Sequence, residues 1–207
     1  MIRNILFDVG VVLLHLDYEA AIRKAAKLCD PAKHVRSNVF FTLIHRDPII
    51  AEYERDRVTT EEFFRHFAYL AGFRGTLRDF ESLWLDILTE NTPMVAFARE
   101  LAKSYGVYLA TNTGRIQVPA IEHRFPPPRF FKDVATSFEF GEVKPDRAFY
   151  EKMLAKFNLS ADSCLFVDDR PENVAGAEAC GIRSVLYTTA PETIRAIEQA
   201  LDRRHTA

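Results

Sequence analysis

Five short apolar runs, spread over the whole chain, constrain the fold more than any other feature. They lie at residues 2–7, 107–110, 134–136, 164–167 and 184–187. Each run ends in turn-forming or polar residues, and every run after the first is followed by a segment of helical periodicity. Strands that alternate with helices predict a mostly parallel sheet covered on both faces. We therefore predict an α/β fold, a Rossmann-like parallel sheet flanked by helices.

The stretch from about Asp17 to Glu90 interrupts this alternation. It has the spacing of several consecutive helices, including one at 17–28 and another that starts at Thr60, and it contains no convincing strand. We predict that 17–90 forms an inserted α-helical cap. Residues 1–16 and 91–207 then form the Rossmann-like core.

Three prolines mark the predicted starts of core helices. Pro93 follows Thr92, which is the predicted N-cap of the helix that restarts the core. Pro145 and Pro171 are the predicted first residues of two later helices.

Composition and charge exclude several classes of protein. With 48% hydrophobic and 27% charged residues, the chain is neither a disordered segment nor a fibrous repeat. Its 27 basic and 29 acidic residues give a net charge of −2, which argues against a nucleic-acid-binding protein. The three cysteines form no CxxC pair, so we expect reduced thiols.

No apolar stretch approaches the length of about 18 to 20 residues that a membrane span requires. Asp8 also interrupts the first apolar run, where a signal peptide would continue. We therefore expect a cytoplasmic protein with no membrane partner. The sequence does not indicate an oligomeric state.

Polar residues come directly after several of the predicted strands, at positions where catalytic or ligand-binding residues are expected. Asp8 comes directly after the first run, Thr111–Asn112 after the second and Asp168–Asp169 after the fourth, and Lys144 precedes a predicted helix. In an open parallel sheet, ligands bind outside the carboxyl ends of the strands. A carboxylate at that edge suits a nucleophile or a metal ligand, and backbone N–H groups that open a helix suit an anion.

Each of these residues also has a simpler interpretation. Asp8 could be an N-cap, Lys144 a surface lysine, and Asp168–Asp169 a cap beside a solvated neighbour. Thr111–Asn112 could be turn formers. The functional interpretation depends on all of them falling at strand ends of one sheet, where chance placement becomes improbable.

Four motifs occur in order along the chain: FDVGVV at 7–12, ATNT at 110–113, VKP at 143–145 and FVDD at 166–169. Together they resemble the four motifs of the haloacid dehalogenase-like (HAD) hydrolases. The match extends over essentially the whole chain, and details near Asn112, Lys144 and Asp169 are similar to the branch that includes bacterial alpha-D-glucose-1-phosphate phosphatase.

The resemblance implies an Mg²⁺-dependent phosphatase of small phosphorylated metabolites. Asp8 is then the nucleophile that forms an aspartyl-phosphate, and Lys144 neutralises both this nucleophile and the phosphate. The Thr111 hydroxyl and the Asn112 backbone N–H bind phosphate oxygens.

The resemblance also implies the metal ligands. They are Asp8, the backbone carbonyl of Gly10 and the pair Asp168–Asp169, in which Asp169 binds directly and Asp168 directly or through water.

Gly10 departs from the usual pattern of the superfamily's phosphatases. They carry a second aspartate at this position, which protonates the leaving group and later activates water. General acid–base catalysis contributes about 10² to 10⁴-fold, so poor leaving groups should react slowly here. The branch named above also has glycine, so Gly10 does not by itself indicate an inactive protein.

Three other functions remain open at this point. A catalytically weak or inactive phosphate-site binding protein would explain Gly10. A dehalogenase would need no metal, although Asp168–Asp169 would then repel Asp8. A phosphorylated receiver domain would place its acidic pair after the first strand, not late in the chain.

The predicted cap should select the substrate because it closes over the strand ends. His15, Glu54, Arg55 and Trp84 are the polar or aromatic candidates for that pocket. The sequence does not identify the substrate itself.

Overall fold

The computed structural model describes residues 1–29, 46–125 and 131–202. Its central sheet has five parallel strands in the order β5-β4-β1-β6-β7, with β1 in the middle. Each strand overlaps one of the five apolar runs, so the predicted parallel sheet is confirmed. The strands are β1 (Asn4–Phe7), β4 (Gly106–Thr111), β5 (Val134–Thr136), β6 (Cys164–Asp168) and β7 (Arg183–Leu186).

Helices cover both faces of this sheet, as predicted. In β1, Ile5 and Phe7 point to one face and Leu6 to the other, following the period of two in a strand. The Ile5 face packs on α5 (Thr92–Leu101) and α10 (Ala190–Asp202). The Leu6 face packs on α8 (Arg147–Phe157) and α9 (Pro171–Ala179). Two short helices complete the core, α6 (Val118–Arg124) and α7 (Ser137–Phe140).

The inserted stretch is mainly helical and has its own aromatic centre. Phe63 stacks on Tyr53 with ring centroids 4.5 Å apart and meets the edge of Trp84 at 5.0 Å. Reciprocal capping hydrogen bonds, Thr59 with Glu62 and Thr76 with Asp79, begin the two longer helices. The helices are α1 (Tyr18–Ala25), α2 (Pro48–Glu54), α3 (Thr60–Ala71) and α4 (Leu77–Asp86).

The expectation that 17–90 contains no strand is wrong. β2 (Leu14–Leu16) and β3 (Leu88–Glu90) form an antiparallel ribbon where the chain leaves and re-enters the core. Each strand has only three residues, which is too short for alternation to reveal it.

Two predicted helix starts are also wrong. Asn91, not Thr92, is the N-cap of α5, and its side chain instead donates hydrogen bonds to the Val12 carbonyl and the Tyr187 hydroxyl. Pro145 lies in a turn, and α8 begins only after Asp146, whose backbone is extended. The predicted start at Pro171 is confirmed.

The predicted domain boundaries remain predictions. Residues 30–45 of the predicted cap, and 126–130 and 203–207 of the predicted core, lie outside the described residues. The three cysteines form no disulfide within the described structure. No helix in the described ranges combines the length and the apolar character needed to cross a membrane.

Candidate active site

The register of the central strands brings the predicted site residues to one edge of the sheet. Phe7 in β1 pairs with Leu109 in β4 and with Val167 in β6. The residue that follows Phe7 is Asp8, whose backbone N–H donates to the Val167 carbonyl at 2.8 Å. The residues that follow β1, β4 and β6 in sequence therefore lie close together, beyond the carboxyl ends of these three neighbouring strands.

Asp8, Asp168 and Asp169 form a carboxylate cluster at this edge. One carboxylate oxygen of each residue lies within 4.8 Å of those of the other two. Asp8 and Asp168 are buried, and Asp169 is half-buried. Three carboxylates this close repel one another unless cations compensate them.

Lys144 supplies one of those cations. Its Nζ donates to Asp8 Oδ1 and to Asp168 Oδ2, each at 2.6 Å, and to the Ala110 carbonyl at 2.9 Å. These hydrogen bonds use all three donors of the ammonium group. Its side chain is only 1% exposed, so the interpretation of Lys144 as a surface lysine is wrong.

Burial and like charge determine the protonation of the cluster. Burial raises the pKa of Asp8 well above its ordinary value, and the Asp168 and Asp169 charges raise it further, against the lowering effect of Lys144. Burial, together with the neighbouring Asp168, raises the pKa of Asp169 to about 6. Burial lowers the pKa of Lys144, but Asp168 and Asp8 outweigh it and the net shift is upward.

The side chain of Asn112 holds Lys144 in place. Its Oδ1 accepts the Lys144 backbone N–H at 2.8 Å, and its Nδ2 donates to the Lys144 carbonyl at 3.0 Å. Thr111 is buried at the end of β4, next to this clamp. The three predicted phosphate-binding residues, Thr111, Asn112 and Lys144, all line the same cavity as Asp8. The side-chain amide of Asn112 thus has a second, structural use.

Gly10 leaves space beside Asp8. A Cβ built on Gly10 would lie 3.8 Å from Asp8 Oδ2 and would meet no other described residue beyond its chain neighbours within 4 Å. The Gly10 carbonyl accepts the Val12 N–H at 2.6 Å, which leaves its second lone pair for another partner. The next residue, Val11, has a φ of 62°, a strained conformation for a β-branched residue.

Asn173 positions Asp168, and the sequence analysis missed it as a site residue. Its Nδ2 donates to both carboxylate oxygens of Asp168, at 2.9 and 3.1 Å. The Arg170 backbone N–H adds a third hydrogen bond to Oδ1 at 2.9 Å. Asn173 is in the first turn of α9, where side chains point back toward the preceding strand, and this placement was the available signal.

A cavity of about 560 Å³ opens over the cluster. Core residues, including Asp8 and Lys144, form part of its lining, and α2 and α4 of the inserted segment form another part. Three of the four pocket candidates, Glu54, Arg55 and Trp84, line it. The fourth, His15, is exposed on β2 and does not line the cavity. Much of the inserted segment's contribution is apolar: Pro48, Ile50, Ala51, Trp84, Ile87 and Leu88.

Two ion pairs connect the inserted segment to the core around this cavity. Arg55 donates to Asp146 at 2.7 Å, and Arg115 donates twice to Asp56, both at 2.8 Å. Both pairs join the end of α2 to core loops, which fixes α2 over the strand ends.

The donor set at the cluster suits a hard divalent cation. Carboxylate oxygens are the ligands that Mg²⁺ and Ca²⁺ prefer, and Mg²⁺ typically binds one or two protein carboxylates beside phosphate oxygens. Lys144 balances only part of the charge of three buried or half-buried carboxylates. Asp8, Asp168 and Asp169 therefore fit the predicted metal site.

Comparison with known proteins connects this geometry to a family. The model of the haloacid dehalogenase-like hydrolases matches residues 2–181. A D-ribitol-5-phosphate phosphatase of Bacteroides thetaiotaomicron is 26% identical over 84% of this chain and 86% of its own. A sesquiterpene phosphatase of Aspergillus oryzae is 26% identical over 72% of this chain and 76% of its own.

Solved structures agree with this assignment. A protein described as a predicted HAD-like family hydrolase, from Porphyromonas gingivalis, is 28% identical, with 98% of each chain covered and a TM-score of 0.78. A HAD-family enzyme of B. thetaiotaomicron, in complex with magnesium and inorganic phosphate, is 23% identical over 91% of this chain and 95% of its own. Its TM-score is 0.74, and at this identity the likeness shows the fold alone.

The superfamily predicted from the four motifs is therefore confirmed, while the glucose-1-phosphate phosphatase branch stays a prediction. The matched residues contain Asp8, Lys144 and the pair Asp168–Asp169, which the fold brings together at one edge of the sheet. This chain belongs to the haloacid dehalogenase-like hydrolases and is an enzyme of that class.

Proposed function

We propose that this enzyme is an Mg²⁺-dependent phosphatase of small phosphorylated metabolites, with Asp8 as its nucleophile. The observation that carries the proposal is the cluster of Asp8, Asp168 and Asp169 around buried Lys144, beside a cavity lined by both the core and the inserted segment. The names of two relatives, both phosphatases, support it.

The proposed roles follow from charge and position. Asp8 attacks the phosphorus to form an aspartyl-phosphate, which divides the hydrolysis into two displacements. Lys144 favours the ionised form of Asp8 and neutralises phosphate charge, and the Thr111 hydroxyl and Asn112 N–H hold phosphate oxygens. Asp8, the Gly10 carbonyl, Asp168 and Asp169 would hold Mg²⁺, which supplies charge neutralisation and alignment of the phosphoryl group when bound.

We also propose that 17–90 acts as the cap that selects the substrate. Its α2 and α4 line the cavity, and the ion pairs Arg55–Asp146 and Arg115–Asp56 hold it against the core. One relative is named for a phosphorylated polyol and the other for a sesquiterpene. Both a polar and an apolar class of substrate are therefore candidates for this enzyme. Sugar phosphates remain the class proposed from the motifs.

A binding protein without significant turnover is the second candidate, and Gly10 is the observation that favours it. A dehalogenase is disfavoured because the three clustered carboxylates match a metal-dependent reaction better than attack on carbon.

Phosphate release decides between these functions. We expect the purified enzyme with Mg²⁺ to release phosphate from p-nitrophenyl phosphate and from some members of a panel of sugar, polyol and prenyl phosphates. Excess chelator should abolish the release, and added Mg²⁺ should restore it. Absence of release from every substrate would favour the binding protein, and chelator-resistant chloride release from a 2-haloacid would favour the dehalogenase.

Replacement of Asn173 by alanine tests how the metal site is positioned. We expect the Mg²⁺ concentration for half-maximal activity to rise about 10- to 100-fold, because Asp168 loses two of its orienting hydrogen bonds. The measurement is a Mg²⁺ titration of activity at saturating substrate. Glu178→Ala, exposed on the same helix, is the control and should leave this concentration unchanged. An unchanged Mg²⁺ requirement in Asn173→Ala would refute this positioning role.

A further inference from the structure

We propose that Glu54 is the general acid and base of this enzyme, in place of the side chain that Gly10 lacks. Glu54 protonates the oxygen of the leaving group and later accepts a proton from the attacking water. This inference rests on the proposed phosphatase function and identifies a further catalytic residue for it.

The first support is the place of Glu54 in the fold. It is the last residue of α2, and its side chain lines the same cavity as Asp8, Gly10 and Lys144. Asp8 lies at the strand ends, whereas Glu54 belongs to the inserted segment that covers them. A phosphate ester bound at Asp8 must extend its leaving group into the cavity that Glu54 lines.

The second support is that the Glu54 carboxyl group has no partner among the described residues. Its side chain forms no hydrogen bond or ion pair with them, although the side chains of acidic neighbours in the cavity do. Asp47 accepts hydrogen bonds from His66 and from the Ile49 backbone, and Asp146 pairs with Arg55. Glu54 is therefore the carboxyl group in the described cavity lining that makes no structural contact and does not belong to the carboxylate cluster.

The third support is its protonation state. Burial raises the pKa of Glu54 to about 7, although Arg170, Lys144 and Arg55 all lower it. These cations face Glu54 from the loop after β6, from the loop before α8 and from the end of its own helix. Both protonation states are thus populated near neutral pH, as a group that first donates and then accepts a proton requires.

The fourth support is the open space beside the nucleophile. A Cβ on Gly10 would approach only Asp8 Oδ2, at 3.8 Å, among the described residues outside its chain neighbours, so no other described side chain takes the place of the one that Gly10 lacks. In the proposed mechanism the proton therefore comes from another wall of the cavity.

The chemistry balances over two steps. Asp8 Oδ attacks the phosphorus, the bond from phosphorus to the leaving oxygen breaks, and that oxygen takes the proton of Glu54. The Glu54 carboxylate then takes a proton from water, whose oxygen attacks the phosphorus of the aspartyl-phosphate. The bond from phosphorus to Asp8 breaks, inorganic phosphate leaves, and Asp8 and protonated Glu54 are restored.

The test is Glu54→Gln, measured in rapid-quench experiments on two substrates with Mg²⁺. p-Nitrophenolate leaves without protonation, so the variant should release about one equivalent of it per site in a burst and then turn over about 10²-fold more slowly than the wild type. With an alkyl phosphate the variant should show no burst and about 10²-fold slower release of alcohol. Glu61→Gln, exposed on α3, is the control and should behave as the wild type.

Two further measurements do not depend on that variant alone. Gly10→Asp introduced into Glu54→Gln should raise the turnover of the alkyl phosphate at least about 10-fold above that of Glu54→Gln alone, because it places a carboxyl group beside Asp8. In the wild type, single-turnover cleavage of the alkyl phosphate should slow as pH rises through about 7, since Glu54 then loses its proton, while cleavage of p-nitrophenyl phosphate should not slow.

Several results would overturn the proposal. These are unchanged kcat in Glu54→Gln, an equal loss on both substrates without a burst, or a parallel pH dependence of the two cleavage rates in the wild type. A wild-type enzyme that releases no phosphate from either substrate would instead refute the phosphatase function itself, so the two failures are distinguishable.

Discussion

Asp8→Asn should lower kcat by at least about 10⁴-fold on every substrate that the enzyme hydrolyses. Asparagine fills the same volume at the end of β1, but its neutral amide is a poor nucleophile and cannot form the aspartyl-phosphate. It also cannot give Lys144 the anionic partner that Asp8 Oδ1 provides at 2.6 Å. The expected loss exceeds that of Glu54→Gln because it removes the bond-forming group itself, not a proton donor.

The measurement is phosphate release from p-nitrophenyl phosphate with Mg²⁺, together with acid-quench detection of a labelled phosphoenzyme. The wild type should show the label and Asp8→Asn should not. Asp162→Asn, at an exposed turn before β6, is the matched control and should retain full activity. Activity above about one tenth of the wild type in Asp8→Asn would exclude Asp8 as the nucleophile, since loss of a nucleophile costs far more.

The clustering of the candidate site residues was predictable from sequence because it depends on the order of the strands and on the residues that follow them. Asp8 and the pair Asp168–Asp169 each follow an apolar run, and parallel pairing without offset between Phe7 and Val167 brings them together. Such information is local: a run of buried residues and the residue after it. The same logic placed Thr111 at the end of β4.

What the sequence did not reveal depends on contacts between distant residues or on very short elements. The clamp between Asn112 and the Lys144 backbone joins two loops whose approach no periodicity encodes. Asn91 was missed as an N-cap because its amide is used by the Val12 carbonyl and the Tyr187 hydroxyl, far away in sequence. The ribbon of β2 and β3 is stabilised by pairing across the whole inserted segment, which three-residue strands do not indicate.

Lys144→Met should have two large effects, one on turnover and one on stability. We expect kcat to fall by about 10³-fold or more, because the phosphate and the nucleophile lose their shared cation. We also expect the free energy of unfolding at pH 8 without Mg²⁺ to fall by about 3 kcal/mol, because Asp8 and Asp168 stay buried without their partner. Methionine keeps the length of the side chain, so lost packing contributes little.

The stability loss should depend on pH and metal in a defined direction. Burial and the neighbouring carboxylates already raise the pKa of Asp8, and removal of Lys144 raises it further, so Asp8 binds a proton as pH falls. A neutral carboxyl group needs no cation, and the destabilisation should therefore be smaller at pH 5 than at pH 8. Mg²⁺ should recover part of it at pH 8 by binding the folded cluster, without restoring turnover.

Urea unfolding at the two pH values, with and without Mg²⁺, measures these effects. Lys152→Met is the control: this exposed lysine pairs with Glu142 at 3.3 Å, and its loss should change the free energy of unfolding by less than about 1 kcal/mol at either pH. If Lys144→Met matched this control, the cluster would not depend on the buried ammonium. A loss that is large at pH 8, smaller at pH 5 and partly reversed by Mg²⁺ has a simple cause. The carboxylates proposed to bind the metal repel one another in the folded protein, and Lys144 allows them to stay together until Mg²⁺ binds.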